Sequence, residues 1–167
     1  MRGQGFAAHR HGMHHPNGVT DCGICQKLRS DEPPLFENGL WQVRPLTPPC
    51  AVPGWMLLLS RRHVPGPAAF DDGEASSFGP TLRHLQRVLL EVTGALRIYN
   101  AAMGESSPHF HGHMVPRYAT MPLDAKGWAV FDLQRAAQAG EVEAPIAEVV
   151  RVVEAYRSAL TSDPPPG

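Results

Sequence analysis

From Pro108 to Arg117 the chain reads Pro108-His109-Phe110-His111-Gly112-His113-Met114-Val115-Pro116-Arg117. A period of two is the pattern of a β-strand. In a strand started by Pro108 and closed by Pro116, His109, His111 and His113 share one face. Their neighbouring Cα atoms would lie about 6 to 7 Å apart. Phe110 and Met114 then point into a core, and Gly112 leaves a gap between them. Three uses fit such a face. It could simply meet water, but each neutral imidazole needs partners for two nitrogens. It could bind a metal through all three rings. Or one neutral imidazole attacks phosphorus while a neighbour donates a hydrogen bond or proton to a phosphate or leaving-group oxygen.

The rest of the chain supplies a scaffold for that strand. Residues 1–20 carry Gly3, Gly5, Gly12, Pro16 and Gly18 with His9, His11, His14 and His15, the composition of a mobile extension or of a metal-binding tract. A short helical turn is expected at 22–29, and strands over 40–44 and 55–60. Pro45, Pro48, Pro49 and Pro53 keep the segment between those strands out of a central sheet. Asp71 or Asp72 can cap a helix with apolar positions Leu82, Leu85, Val88, Leu89 and Val92, ended by Gly94. A strand over 96–100 follows. A last helix over 144–160 puts Ile146, Val149, Val150, Val153 and Tyr156 on one face. Residues 163–167 read as a frayed tail. The order predicts an α+β fold, an antiparallel sheet covered by one long central helix and a C-terminal helix. One domain over 21–162 suits a chain of 167 residues.

Charge excludes some functions. The 15 Lys and Arg balance 16 Asp and Glu, so no basic field drives binding to nucleic acid. The longest apolar run, Trp55 to Leu59, is too short to span a bilayer, which argues against a membrane partner. The N-terminus has no apolar signal region, and three cysteines make no secreted disulfide framework, so a cytoplasmic location is expected.

The stretch His109-Phe110-His111-Gly112-His113-Met114-Val115 resembles the motif of the histidine triad (HIT) family. The resemblance extends to Pro53-Gly54-Trp55-Met56-Leu57-Leu58-Leu59-Ser60-Arg61-Arg62-His63-Val64, which looks like that family's strand ending in a basic-His turn. It covers roughly residues 22–118 and implies a HIT-like fold. It also implies a nucleotide hydrolase acting at an α-phosphate through a nucleotidyl-histidine intermediate. His111 would be the nucleophile, and His113 would hold the phosphate and assist the leaving group. The alternatives are a nucleotidyltransferase, for which Gly112 is the one hint because it is similar to the motif of galactose-phosphate uridylyltransferases, and a non-catalytic nucleotide-binding sensor. A small-molecule nucleotide is the implied ligand, and a homodimer the implied assembly.

Cys22-Gly23-Ile24-Cys25 places two thiols within reach of one metal, or of each other as a redox pair, though no βαβ pattern surrounds them. The resemblance to zinc-containing members of the family implies a structural zinc held by Cys22, Cys25, His63 and His109. Cys50 stands alone in the proline-rich segment as an incidental thiol. For substrate binding, the resemblance implies Asn100 and Ser106 as phosphate contacts, and Ser107 is a second hydroxyl in the same turn. Counting back from Pro53-Gly54 places Thr47 where the family carries a ribose-binding Asp or Asn. Arg117 is a candidate for a distal phosphate or carboxylate. Trp128 and Phe131 are read as core or as residues reaching a neighbouring subunit.

Overall fold

The computed structural model describes residues 22–105 and 107–166. The extension over 1–20 and the Ser106 hydroxyl therefore lie outside the described residues. Helix α1 (Gly23–Leu28) leads to a five-stranded antiparallel sheet made of β1 (Phe36–Glu37), β2 (Trp41–Pro45), β3 (Met56–Ser60), β4 (Arg97–Ala101) and β5 (His111–Arg117), in the spatial order β1-β2-β3-β5-β4. Helix α2 (Asp72–Thr93) links β3 to β4, and α3 (Val130–Gln138) and α4 (Ile146–Ser162) follow β5. This is the α+β architecture that the sequence predicts. Among the described residues no helix is long and apolar enough to cross a membrane.

Alternation along the strands sorts the two faces of the sheet. Trp41 and Val43 of β2, Met56 and Leu58 of β3 and Met114 of β5 pack against Leu85, Val88 and Leu89 of α2 and Tyr156 and Leu160 of α4. Helix α2 starts where Asp71 and Glu74 cap each other: the Asp71 carboxylate accepts from the Glu74 amide at 2.9 Å, and Glu74 Oε2 accepts from the Asp71 amide at 3.0 Å. Gly94 ends it in the left-handed region, with φ of 63°. The opposite face is covered in part by a second core of Cys50, Val52, Trp55, Val115 and Val130. Burial pushes the Cys50 thiol pKa up, as suits a packing residue.

Four expectations change. Strand β5 begins at His111, because the Phe110 amide bonds to the Val64 carbonyl and the His109 ring goes to the two cysteines. Pro116 lies inside β5, not after it. Pairing with β3 stops at Met56–Met114, so Pro116 has a neighbour on one side only, where a sheet accepts proline. On α4 the inward stripe is Val152, Tyr156 and Leu160, whereas Ile146 and Val150 are exposed. Of the tail, Asp163 is anchored: its carboxylate takes Arg87 Nη2 at 2.6 Å and its carbonyl lies 2.9 Å from His84 Nε2. Strand β1 and helix α3 have no counterpart in the sequence reading.

Candidate active site and metal centre

Cys22, Cys25, His63 and His109 come from three separate stretches of chain, and their ligand atoms all lie within 4.8 Å of one another. Cys25 Sγ is 3.3 Å from His63 Nδ1 and 3.3 Å from His109 Nδ1, and Cys22 Sγ is 3.6 Å from His109 Nδ1. Tetrahedral bonds of about 2.3 Å to sulfur and 2.0 Å to nitrogen set such S···N separations near 3.5 Å. The second nitrogen of His109, Nε2, lies 2.8 Å from the Ser60 carbonyl. A carbonyl only accepts, so Nε2 carries the proton and Nδ1 offers its lone pair to the cysteines. His109 is fully buried, and burial pushes its pKa down, which keeps the ring neutral for ligation. The four residues have the donor chemistry and spacing of a closed tetrahedral metal site.

Two residues on, His111 and His113 face the side of the sheet away from α2. Their rings are 5.4 Å apart. Each ring has one nitrogen committed, and in opposite senses. His111 Nδ1 is 2.7 Å from the His109 carbonyl, so it donates and leaves the Nε2 lone pair free. His113 Nδ1 is 2.9 Å from Trp55 Nε1. An indole N–H only donates, so His113 Nδ1 accepts and its Nε2 bears the proton. Burial, and then the neighbouring His111, push the His113 pKa down to about 4. His113 is thus a neutral N–H donor beside an imidazole with an available lone pair. Phe131 of α3 packs edge-on against both Trp55 (5.0 Å) and His113 (5.3 Å), closing the far side of that ring within the same chain.

No protein-family model matches the chain, and no curated protein matches it in sequence. Solved structures do match in three dimensions. A histidine triad protein from Bradyrhizobium japonicum aligns over 83% of this chain and 97% of its own, with a TM-score of 0.60 and 19% identity. A hypothetical histidine triad nucleotide-binding protein from Sulfolobus tokodaii aligns over 87% and 100%, with a TM-score of 0.60 and 14% identity. The chain has the histidine triad fold. A Zn-bound histidine triad family protein from Mycobacterium smegmatis is similar in the same way, over 87% and 96%, with a TM-score of 0.59 and 16% identity.

Within this histidine triad fold the remaining candidate residues divide. Ser107 Oγ lies 3.8 Å from Cys22 Sγ, beside the metal site. Asn100 pairs with Met114, whereas Ala101 pairs with His113. Cross-strand partners share a face, so Asn100 sits on the α2 side of the sheet, with its Oδ1 close to Gly112. Arg117 is buried and is spent on the chain itself, donating from Nη1 to the Tyr118 and Met121 carbonyls at 2.5 and 3.2 Å. Thr47 does not reach the histidines by any contact; its hydroxyl takes the Lys27 ammonium at 2.6 Å. The sequence reading missed Trp55 as a partner of His113. Register could have found it, since Trp55 precedes Leu57, the residue opposite His113, by two positions on the same strand face.

Proposed function

We propose that the protein is a nucleotide hydrolase that cleaves a phosphoanhydride or phosphoramidate at the α-phosphate. The observation that carries this reading is the opposed pairing of the two Nδ1 atoms, His111 with a carbonyl acceptor and His113 with an indole donor. His111 Nε2 attacks the phosphorus, and the bond from phosphorus to the leaving group breaks, an oxygen leaving group departing as its anion and an amine taking up a proton from solvent. The Nε2–H of His113 donates a hydrogen bond to a phosphate or leaving-group oxygen as charge builds there. With a pKa near 4 the ring acts as a donor and not as a stored proton. Water then attacks the nucleotidyl-histidine, the P–N bond breaks, and one water proton leaves to solvent. The products are a nucleoside monophosphate and free His111.

Cys22, Cys25, His63 and His109 would hold zinc. With four protein ligands such an ion serves as a structural tie and polarises no substrate. The same reading makes the protein a homodimer in solution, which light scattering after size exclusion would check.

The test compares wild type with His111→Ala on adenosine phosphoramidate, an aminoacyl adenylate, dinucleoside polyphosphates and a nucleotide sugar. Release of the monophosphate by wild type and its loss in the variant are expected. Equal release by both proteins refutes the nucleophile. Saturable nucleotide binding with no product from a folded, metal-loaded protein would replace the hydrolase by a sensor.

A further inference from the structure

Strand β2 presents Arg44 to the histidine face. Arg44 lies opposite Leu57, and Leu57 lies opposite His113, so the arginine is two strand spacings, about 10 Å, from that histidine. Arg44 is 2% exposed. A buried cation normally has a carboxylate against it. Among the described residues Arg44 forms no ion pair; its Nε donates to Gln42 Oε1 at 2.6 Å and its Nη1 to the Glu32 carbonyl at 2.8 Å. Nη2 has no hydrogen-bond partner there, yet it is not among the buried unsatisfied atoms, so it opens onto a cavity.

That cavity has a volume of 270 Å³, between α1, the end of β2 and α4. Lys27, Arg44 and Arg157 line it, against one carboxylate, Glu32. Lys27 lies against Thr47, as described above, and that hydroxyl then has its own proton to give. Arg157 donates from Nη1 to the Pro34 carbonyl at 2.9 Å, and its nearest carboxylate, Glu154, stands 3.8 Å away. Burial, and then the charge of Arg44, push the Lys27 pKa down, the sign of cations gathered with too little negative charge among them.

We propose that this cavity binds a second anionic group of the substrate, a phosphate held on the Arg44 side of His113. The proposal rests on the nucleotide reading above and narrows it. A neutral ribose diol would leave three cationic side chains facing the single carboxylate of Glu32, whereas a phosphate offsets that charge. A phosphate monoester would take the uncommitted Arg44 Nη2, the Lys27 ammonium and the Thr47 hydroxyl together.

Calorimetry with adenosine 5′-monophosphate and with the 2′,5′- and 3′,5′-bisphosphates tests it. In wild type at least one bisphosphate should bind about tenfold tighter than the monophosphate, and the advantage should fall to near unity in Lys27→Met and shrink in Arg157→Met. Both variants keep the buried Arg44, and thermal unfolding checks that each is folded. Equal affinity of all three nucleotides overturns the proposal, and so does a preference that survives both variants. Inorganic phosphate, followed at the Arg44 Nε resonance at constant ionic strength, separates the two readings. A saturable shift in a protein that binds none of the nucleotides would keep the anion site and remove the nucleotide. No shift together with no nucleotide binding would remove both.

Discussion

Trp55→Phe isolates the hydrogen bond that sets the protonation of His113. Trp55 is 2% exposed, and its indole N–H is the donor found on His113 Nδ1. Phenylalanine keeps an aromatic body against Phe131 and deletes the donor. A net hydrogen bond is worth about 1 kcal/mol, or about fivefold in the ratio of the two neutral forms of the ring. Leaving a buried acceptor unpaired and deleting one ring from the core should together cost about 2 kcal/mol, a fall in Tm of about 4–8 °C for a domain of this size. ¹⁵N spectra of the imidazoles read the first effect directly. Wild type should show His113 protonated at Nε2, and the variant a mixture. Monophosphate release should fall about twofold in kcat with little change in KM, as part of the population loses its Nε2 proton, and more for a poor leaving group than for a good one, because the lost donor acts on developing charge. A wild-type spectrum with the His113 proton on Nδ1, or a variant whose spectrum is unchanged, would refute the reasoning.

Other perturbations test other parts of the molecule. The His113 pKa drops from 6.5 to about 4 on folding; between those values the unfolded chain binds a proton that the folded chain does not, so stability should fall as pH is lowered through that window. The loss is bounded at about 3 kcal/mol and reduced by the ring's partial exposure, and urea unfolding at about pH 7.5 and pH 5 should show a larger drop in wild type than in His113→Gln. Glu74→Ala removes the return half of the α2 cap and the buried partner of Arg62, whose Nε and Nη2 donate to it at 3.0 and 2.5 Å; calorimetry should show a loss of about 2 kcal/mol, with Glu74→Gln milder because it keeps the bond to the Asp71 amide. If the four residues hold zinc as proposed, chelation should lower Tm by about 10 °C or more, and Cys25→Ser should purify with less metal by elemental analysis. A Cβ at Gly112 would stand 3.3 Å from Phe110 Cζ, so Gly112→Ala should cost about 1 kcal/mol in urea unfolding and Gly112→Val about 3 kcal/mol.

The parts that were legible in the sequence are those that local periodicity writes. The strand Met56–Ser60, the cap at Asp71, the stop at Gly94 and the parity of His111 and His113 follow from spacing alone. The misreadings share a physical cause, a side chain whose partner lies far away in sequence. His109 has the right parity for the strand face, but its Nδ1 is drawn to cysteines more than eighty positions earlier. Helix α4 has two overlapping apolar stripes, and the sheet and α2 bury only the one through Val152 and Tyr156. Strand β1 is two residues long and exists because β2 offers it an edge. Thr47 was placed by counting along a proline-rich segment, and only the fold shows that it shares a cavity with Lys27 of α1 and with Arg44. Arg44 reads as an ordinary strand charge until register sets it on the face of His113.

The geometry makes His109 the hinge between stability and chemistry. Its side chain belongs to the metal cluster, and its backbone carbonyl holds His111 Nδ1. One residue thus fixes both the ring that cannot react, with all its nitrogens engaged, and the ring that can. Any rotation of the His109 peptide moves the acceptor that keeps the His111 lone pair on Nε2, because the carbonyl and the side chain share one Cα. The imidazole is itself pinned twice, by Ser60 at Nε2 and by the cysteines at Nδ1. A metal bound by those four ligands would therefore act on the nucleophile without touching the substrate, through orientation alone. Loss of the metal should then lower kcat by disordering His111, while leaving the pairing of Trp55 with His113 intact.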